Sequence, residues 1–446
     1  MRVTGKTIKT LRALGHRPAA TGLACVVVAA VTAGLLSLSP DTPPRPVHGN
    51  PATAAGAQDV PGQIEARRAW LREHPDDGTV WAGLALGYLE QARRTADFSY
   101  YGKAEQALKR SLALQPGNVT ALVGMGTLAN ARHDFAAARR WGEQARRAQP
   151  GNWTVYPVLA DAYTQLGAYP RATAAVQRLL DLKPGVAAFT RAAYELEMQG
   201  RTEEAEGALR RALEDSAVPA ERAFCLHRLG ELDWDRGRPA RAHAHYEEAL
   251  RADPDAHAAL AGRAKARAAL GRTEAALADY RTLTERVPLP EYVLLHGEFL
   301  ESLGRGDEAE SQYELLRAQV RLLEEQGADD DLTLGLFEAD HGDPAVAVRK
   351  LGAEWSRRKS VLVADGLAWA LHRAGRSAEA AGPAESAAKL GWRPASFAYH
   401  RGEIERALGR EGEARRLFSA ALRANPHFSP LHARAARKAL RAGGAS

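Results

Sequence analysis

The chain is poor in the residues from which a chemical function is usually read. It has two cysteines, Cys25 and Cys225, and three methionines in 446 residues. One cysteine lies in an apolar run and the other in a distant helical segment, so no disulfide framework is expected. A body nearly free of cysteine suits either redox compartment. No Walker A loop, G-x-G-x-x-G, H-E-x-x-H or C-x-x-C occurs. Basic charge is scarce where it would matter. The chain carries a net +6, but Arg2, Lys6, Lys9, Arg12 and Arg17 supply five of those charges before residue 40, with no acid among them. The remainder is almost neutral, so the pI near 9.3 is no footprint of nucleic-acid binding. A charged fraction of 26% beside 45% hydrophobic residues excludes a mostly membrane-embedded protein.

What is present begins with one uncharged run. Residues 19–39 read AATGLACVVVAAVTAGLLSLS. About 20 residues at ~1.5 Å each span a hydrocarbon core of roughly 30 Å. The basic tail 1–18 precedes this run, and the positive-inside rule puts that tail in the cytoplasm and the rest across the membrane. We expect an uncleaved signal anchor, with a cleaved signal peptide as the alternative. Residues 40–57, with five prolines and no apolar periodicity, read as an extended linker.

From residue 58 onward the chain repeats itself. Pro116, Pro150 and Pro184 are 34 residues apart, and Pro254 and Pro288 repeat the interval. Between prolines, two short apolar-periodic stretches flank a glycine or polar turn, as at Gly237 between Leu226–Leu229 and Ala242–Leu250. An alanine follows each turn by about five residues: Ala172, Ala276, Ala309, Ala380 and Ala414. Small residues there let two helices approach closely. The pattern W-x2-L-A-x2-Y at Trp81, Leu84, Ala85 and Tyr88, followed by the closing prolines, resembles the tetratricopeptide repeat family. It is also similar to a broad group of bacterial tetratricopeptide proteins of no established activity. The resemblance implies an all-α fold, a right-handed superhelical solenoid of about ten helix-turn-helix units after one transmembrane or signal helix. The units fall near 78–118, 119–152, 153–185, 186–222, 223–256, 257–289, 290–327, 328–360, 361–394 and 395–428. A helix at 61–74 precedes them and a capping helix at 429–442 follows. The first unit has seven extra residues in its turn, and the seventh has a helix about one turn longer.

The search for chemistry returns little. His243 and His245 are two apart on a helix and point about 200° apart, which excludes a shared ion. His427 and His432 straddle a helix start. Asp329, Asp330 and Asp331 lack the spaced ligands of a calcium loop and are expected to cap the next helix. No catalytic residue, cofactor or metal site is expected.

The resemblance implies that first helices line a concave groove. At the positions that face it stand Glu90, Asp161, Glu197, Glu231, Asp235, Glu291, Glu298, Glu301, Asp329, Asp340, Asp365 and Glu403, against only Lys265, Arg373 and Arg406. The aromatics there are Tyr194, Phe224, Trp234, Trp369 and Tyr399. Acids with aromatic anchors suit a basic or polar peptide. Lysine and asparagine clamps for a C-terminal carboxylate are absent, with Ala82, Leu86, Gly124 and Thr154 in their places. The sequence therefore points to a membrane-tethered, extracytoplasmic scaffold for a protein partner. An enzyme or enzyme-associated module acting on envelope material is the alternative.

Overall fold

The computed structural model describes residues 59–325, 327 and 331–442. The tail, the apolar run, the linker, Cys25, Asp329 and Asp330 lie outside the described residues. Among those described there are twenty-two helices and no strand, and no helix is long and apolar enough to cross a membrane.

Helix α1 (Val60–Glu73) precedes ten helical hairpins. These are α2 (Gly78–Thr95) with α3 (Ser99–Leu114), α4 (Val119–Ala131) with α5 (Phe135–Ala148), α6 (Val155–Gln165) with α7 (Tyr169–Leu182), and α8 (Val186–Met198) with α9 (Thr202–Asp215). Then come α10 (Pro219–Asp235) with α11 (Pro239–Ala252), α12 (His257–Ala269) with α13 (Thr273–Arg286), and α14 (Pro290–Ser302) with α15 (Gly306–Glu325). The last three are α16 (Asp331–His341) with α17 (Pro344–Arg357), α18 (Val361–Arg373) with α19 (Ser377–Ala387), and α20 (Ala395–Ala407) with α21 (Glu411–Ala424). Helix α22 (His432–Ala442) ends the array.

Local chemistry sets these limits. Asp77 accepts hydrogen bonds from the amides of Thr79 and Val80, Asn118 from Ala121, Asp134 from Ala137 and Ser360 from Val363. Each satisfies amide groups that the first turn of a helix leaves free. At the other end, Pro116, Pro150, Pro184, Pro254 and Pro288 stand just past α3, α5, α7, α11 and α13, where a helix cannot continue.

Small residues hold the paired helices together. Ala242 and Ala276 are fully buried. Gly230 and Gly262 flank the ring of Tyr246, and a Cβ at either would stand 2.5 Å from it. One tyrosine on a second helix is thus clasped by two successive first helices. Through most of the array, first helices of adjacent units pack on one another, which puts them on the inside of the curve.

The coil then meets itself. Gln165 accepts a hydrogen bond from Arg358 at 2.6 Å, the Tyr169 hydroxyl accepts one from the Val361 amide at 2.9 Å, and the Trp234 carbonyl accepts one from Asn425 at 2.8 Å. The partners are 193, 192 and 191 residues apart. Between these contacts the Trp392 amide donates to the Met198 carbonyl at 3.1 Å. The seam runs along successive turns of one stretch and successive inter-unit loops of another. Met198, Val361 and Trp392 are buried in it, with Tyr169, Tyr194 and Phe397 packed around them. The approach is close enough to demand glycine. A Cβ on Gly391 would lie 2.0 Å from the Gln199 carbonyl oxygen, and one on Gly167 would lie 2.2 Å from that of Lys359. The first helices pack on their own partner and their neighbours, and the returning coil adds contacts at the turns and inter-unit loops. Helices α4, α10 and α18 bury residues around most of their circumference.

The first-helix wall as candidate functional site

The inner wall is built from successive first helices, and its charges are joined between units. Arg191 on α8 reaches back to Asp161 on α6 through two hydrogen bonds, at 2.9 and 2.7 Å. Arg228 on α10 pairs with Glu197 on α8 at 2.6 Å. Lys265 on α12 lies 3.2 Å from both oxygens of Glu231 on α10. The Tyr246 hydroxyl also donates to Glu231, at 2.5 Å. All these pairs are nearly or fully buried, where an ion pair persists only with good geometry and further hydrogen bonds.

In the C-terminal half imidazoles take this part. His341 on α16 faces Glu298 at 3.5 Å and Glu301 at 3.2 Å, both on α14. His400 on α20 is 2.8 Å from Asp365 on α18. His432, the first residue of α22, is 3.6 Å from Asp340. Trp369 sits at the centre. Its indole donates to Asp340 at 3.0 Å and stacks on His400 with ring centroids 4.3 Å apart. His372, Tyr399 and His432 complete the surround.

Two corrections to the sequence expectation follow. Trp234 and Trp369, expected as groove anchors, are 4% and 2% exposed. Trp234 packs against Ala242, Tyr246 and Ala266 with the Lys265 ammonium over its ring at 5.2 Å, because the next unit's first helix closes over it. The second correction concerns charge. Glu231, Asp365 and Glu403 are buried and paired with Lys265, His400 and Arg406. Glu298, half-buried, pairs with His341. Arg191, Arg228, His341 and His400 were missed by the sequence reading. The signal lay in a base or imidazole standing 30 to 35 residues after an acid, as in Asp161–Arg191, Glu197–Arg228 and Asp365–His400. Tyr399 is buried beside Trp369, whereas Tyr194 and Phe224 are half-buried.

Asp235 is the exception among the acids. It is buried, and neither carboxylate oxygen has a protein partner. Burial, reinforced by Glu197 and Glu231, pushes its carboxyl well above the ordinary range. Nearby, Glu197 Oε1, the Tyr194 hydroxyl and both ring nitrogens of His227 also lack partners. Burial lowers His227 to about 4, so it is neutral at pH 7. Glu231 behaves oppositely to Asp235. Burial pushes it up, but Lys265, His227 and the Tyr246 hydroxyl outweigh that and hold it below its usual value. Among the described residues no group of histidine, cysteine, aspartate and glutamate is arranged to hold a metal. Cys225 is buried and free, and burial raises its thiol to about 12, which makes it unreactive.

The tetratricopeptide repeat family profile matches residues 89–153, 227–289 and 262–324, less than half of the chain. No curated protein matches the chain. Solved structures similar to it include a tetratricopeptide repeat protein from Parabacteroides merdae, 21% identical, covering 57% of this chain and 97% of that one with a TM-score of 0.33. Human IFIT1 is 16% identical over 83% of this chain and 88% of its own, with a TM-score of 0.44. Yeast Tom70 is 13% identical over 87% of each, with a TM-score of 0.31.

Proposed function

We propose that this chain, which carries tetratricopeptide repeats, is a membrane-held scaffold whose first-helix wall binds a polar or basic segment of a partner protein. Residues 19–39 form the anchor, and the basic tail before them keeps the N-terminus cytoplasmic. The repeats then stand outside the cytoplasm at the end of the linker 40–57.

The observation that carries the binding reading is the set of unpartnered polar atoms where α8 faces α10. Buried polar groups are nearly always hydrogen-bonded, and each exception calls for a reason. Here Tyr194, Glu197, His227 and Asp235 supply several such atoms together. A partner's backbone amides and a lysine or arginine side chain would satisfy them. Access requires the coil to loosen along its seam, which is held by a handful of hydrogen bonds and the cluster around Trp392.

The test separates binding from folding. Asp235→Asn keeps the shape and removes the charge. The folded-state pKa of Asp235 lies above its unfolded value. Its contribution to stability is therefore greatest below the unfolded pKa and is lost as pH rises towards the folded one. At pH 7 the variant should melt higher than the parent. Crosslinking in intact membranes, followed by mass spectrometry, identifies the partner of the parent chain. The variant should capture that partner roughly tenfold less well, the loss of about one buried charge pair. Equal capture by a more stable variant would remove the wall as the binding site.

A further inference from the structure

We propose that the exposed face of α22 is a docking site for a carboxylate-rich, extended segment of a partner protein. This surface is separate from the first-helix wall. The helix reads HARAARKALRA and contains no acid. Arg434, Lys438 and Arg441 are exposed and Arg437 is half-buried. Their spacing of three, four and seven residues puts them in one stripe. With the end of the helix they line an open hollow of about 510 Å³.

Some exposed cations elsewhere are neutralised by an acid a turn away, while others, such as Arg139, Arg140 and Arg147 on α5, form no ion pair among the described residues. Arg210 pairs with Glu206 at 2.8 Å, Arg376 with Glu379 at 2.6 Å and Arg416 with Glu413 at 2.6 Å. On α22 the polar contacts are different. Arg434 donates to the Ser302 carbonyl at 2.6 Å, and Arg437 to the Pro426 carbonyl. Neither bond cancels a charge, and among the described residues none of the four cations lies within ion-pair distance of a carboxylate. Only His432 on this helix faces one, that of Asp340. The helix dipole does not account for the stripe either. It favours Lys438 and Arg441 in the last turns but disfavours Arg434 in the first.

The geometry selects the ligand. Residues 434 to 441 span about 10 Å along the helix axis, too long for one phosphate. Alternate side chains of an extended peptide are about 7 Å apart, so two or three acidic side chains match the stripe. Guanidinium groups take carboxylates in bidentate pairs. A bilayer is the poorer fit. An interfacial helix needs a free apolar face, whereas Ala433 and Ala436 are buried and Ala435, Ala439 and Leu440 pack on the core beneath.

The experiment uses the full chain in detergent or nanodiscs of neutral lipid and a fluorescent peptide of alternating glutamate and glycine. The parent should bind the peptide with an affinity that falls as salt rises. Lys438→Glu with Arg441→Glu changes exposed residues that make no hydrogen bond or ion pair among the described residues. It should weaken binding more than roughly tenfold with an unchanged helical circular dichroism melt. Arg376→Glu with Arg416→Glu alters net charge equally and should bind as the parent does. The proposal is overturned if both double variants lose binding alike, since net charge then explains it. It is also overturned if the Lys438/Arg441 variant binds like the parent. Recruitment to anionic phosphatidylglycerol vesicles that the peptide does not compete away would assign the face to lipid instead.

Discussion

The wall of α6 to α12 and the wall of α14 to α22 solve one problem with different chemistry. In both, a first helix offers a carboxylate that a cation or imidazole from a later unit faces. The N-terminal half uses the guanidinium groups of Arg191 and Arg228 and the ammonium of Lys265. The C-terminal half uses the imidazoles of His341, His400 and His432, the side-chain type whose ordinary pKa lies nearest neutrality. The contrast teaches that the repeat fixes where a charge partner stands but leaves open whether it can be switched off. The N-terminal pairs should behave as permanent fixtures and the C-terminal ones as conditional ones.

The largest effect should come from breaking a permanent pair. Arg228→Ala strands Glu197 and removes a positive neighbour from Glu231, both buried. Removing one partner of a buried pair costs about 3–5 kcal/mol, and urea titration should show that loss. His400→Ala in the C-terminal half should cost less at pH 8, because it strands the single carboxylate of Asp365, whereas Arg228 serves both Glu197 and Glu231. Equal losses at pH 8 would erase the distinction between the halves. A smaller effect tests packing where charge plays no part. Ala242 is fully buried against Trp234 and Tyr246, so Ala242→Leu should destabilise by about 1–3 kcal/mol through overpacking. An unchanged melt would show that this contact yields freely.

The helical class of this fold was open to reading because each unit writes its own punctuation. A proline past α3, α5, α7, α11 and α13, and a glycine such as Gly271 or Gly409 in the left-handed conformation, mark helix ends locally. The wall was read only in part. Glu231 and Asp365 were found as inward-facing acids because they recur at fixed positions within a unit. Their neutralisation was not, because Lys265 and His400 belong to the following unit and a reading confined to one unit sees each acid alone. Trp234 and Trp369 were placed on an open groove because helix position alone does not say what covers a side chain. The seam was out of reach altogether. It joins Gln165 to Arg358 and Trp234 to Asn425, and its position depends on the small rotation from unit to unit summed over about 190 residues. No single repeat encodes that sum.

The finest test of the comparison is pH, and its sign can be worked out. Burial works against the charged form of His432, but the nearby carboxylate of Asp340 prevails and raises its pKa above 6.5. His341 is raised in the same way, chiefly by Glu298 against burial. A histidine whose folded pKa exceeds its unfolded value contributes stability that is complete below 6.5 and lost as pH rises through the folded pKa. The loss should be local. His432 opens α22, an end helix held by hydrogen bonds at Ser429, Ser302 and Pro426 and a small apolar face, with no further unit packed beyond it, so it should fray before the array melts. Hydrogen-exchange protection of residues 432–442, corrected for the intrinsic rate, should fall between pH 6 and pH 8. Protection of α4, which carries no ionisable side chain, should hold across that window. His432→Gln should remove the pH dependence at α22 while lowering protection at pH 6. If α4 and α22 lose protection together, the change is not local to His432 and Asp340, and the array acts as one cooperative body.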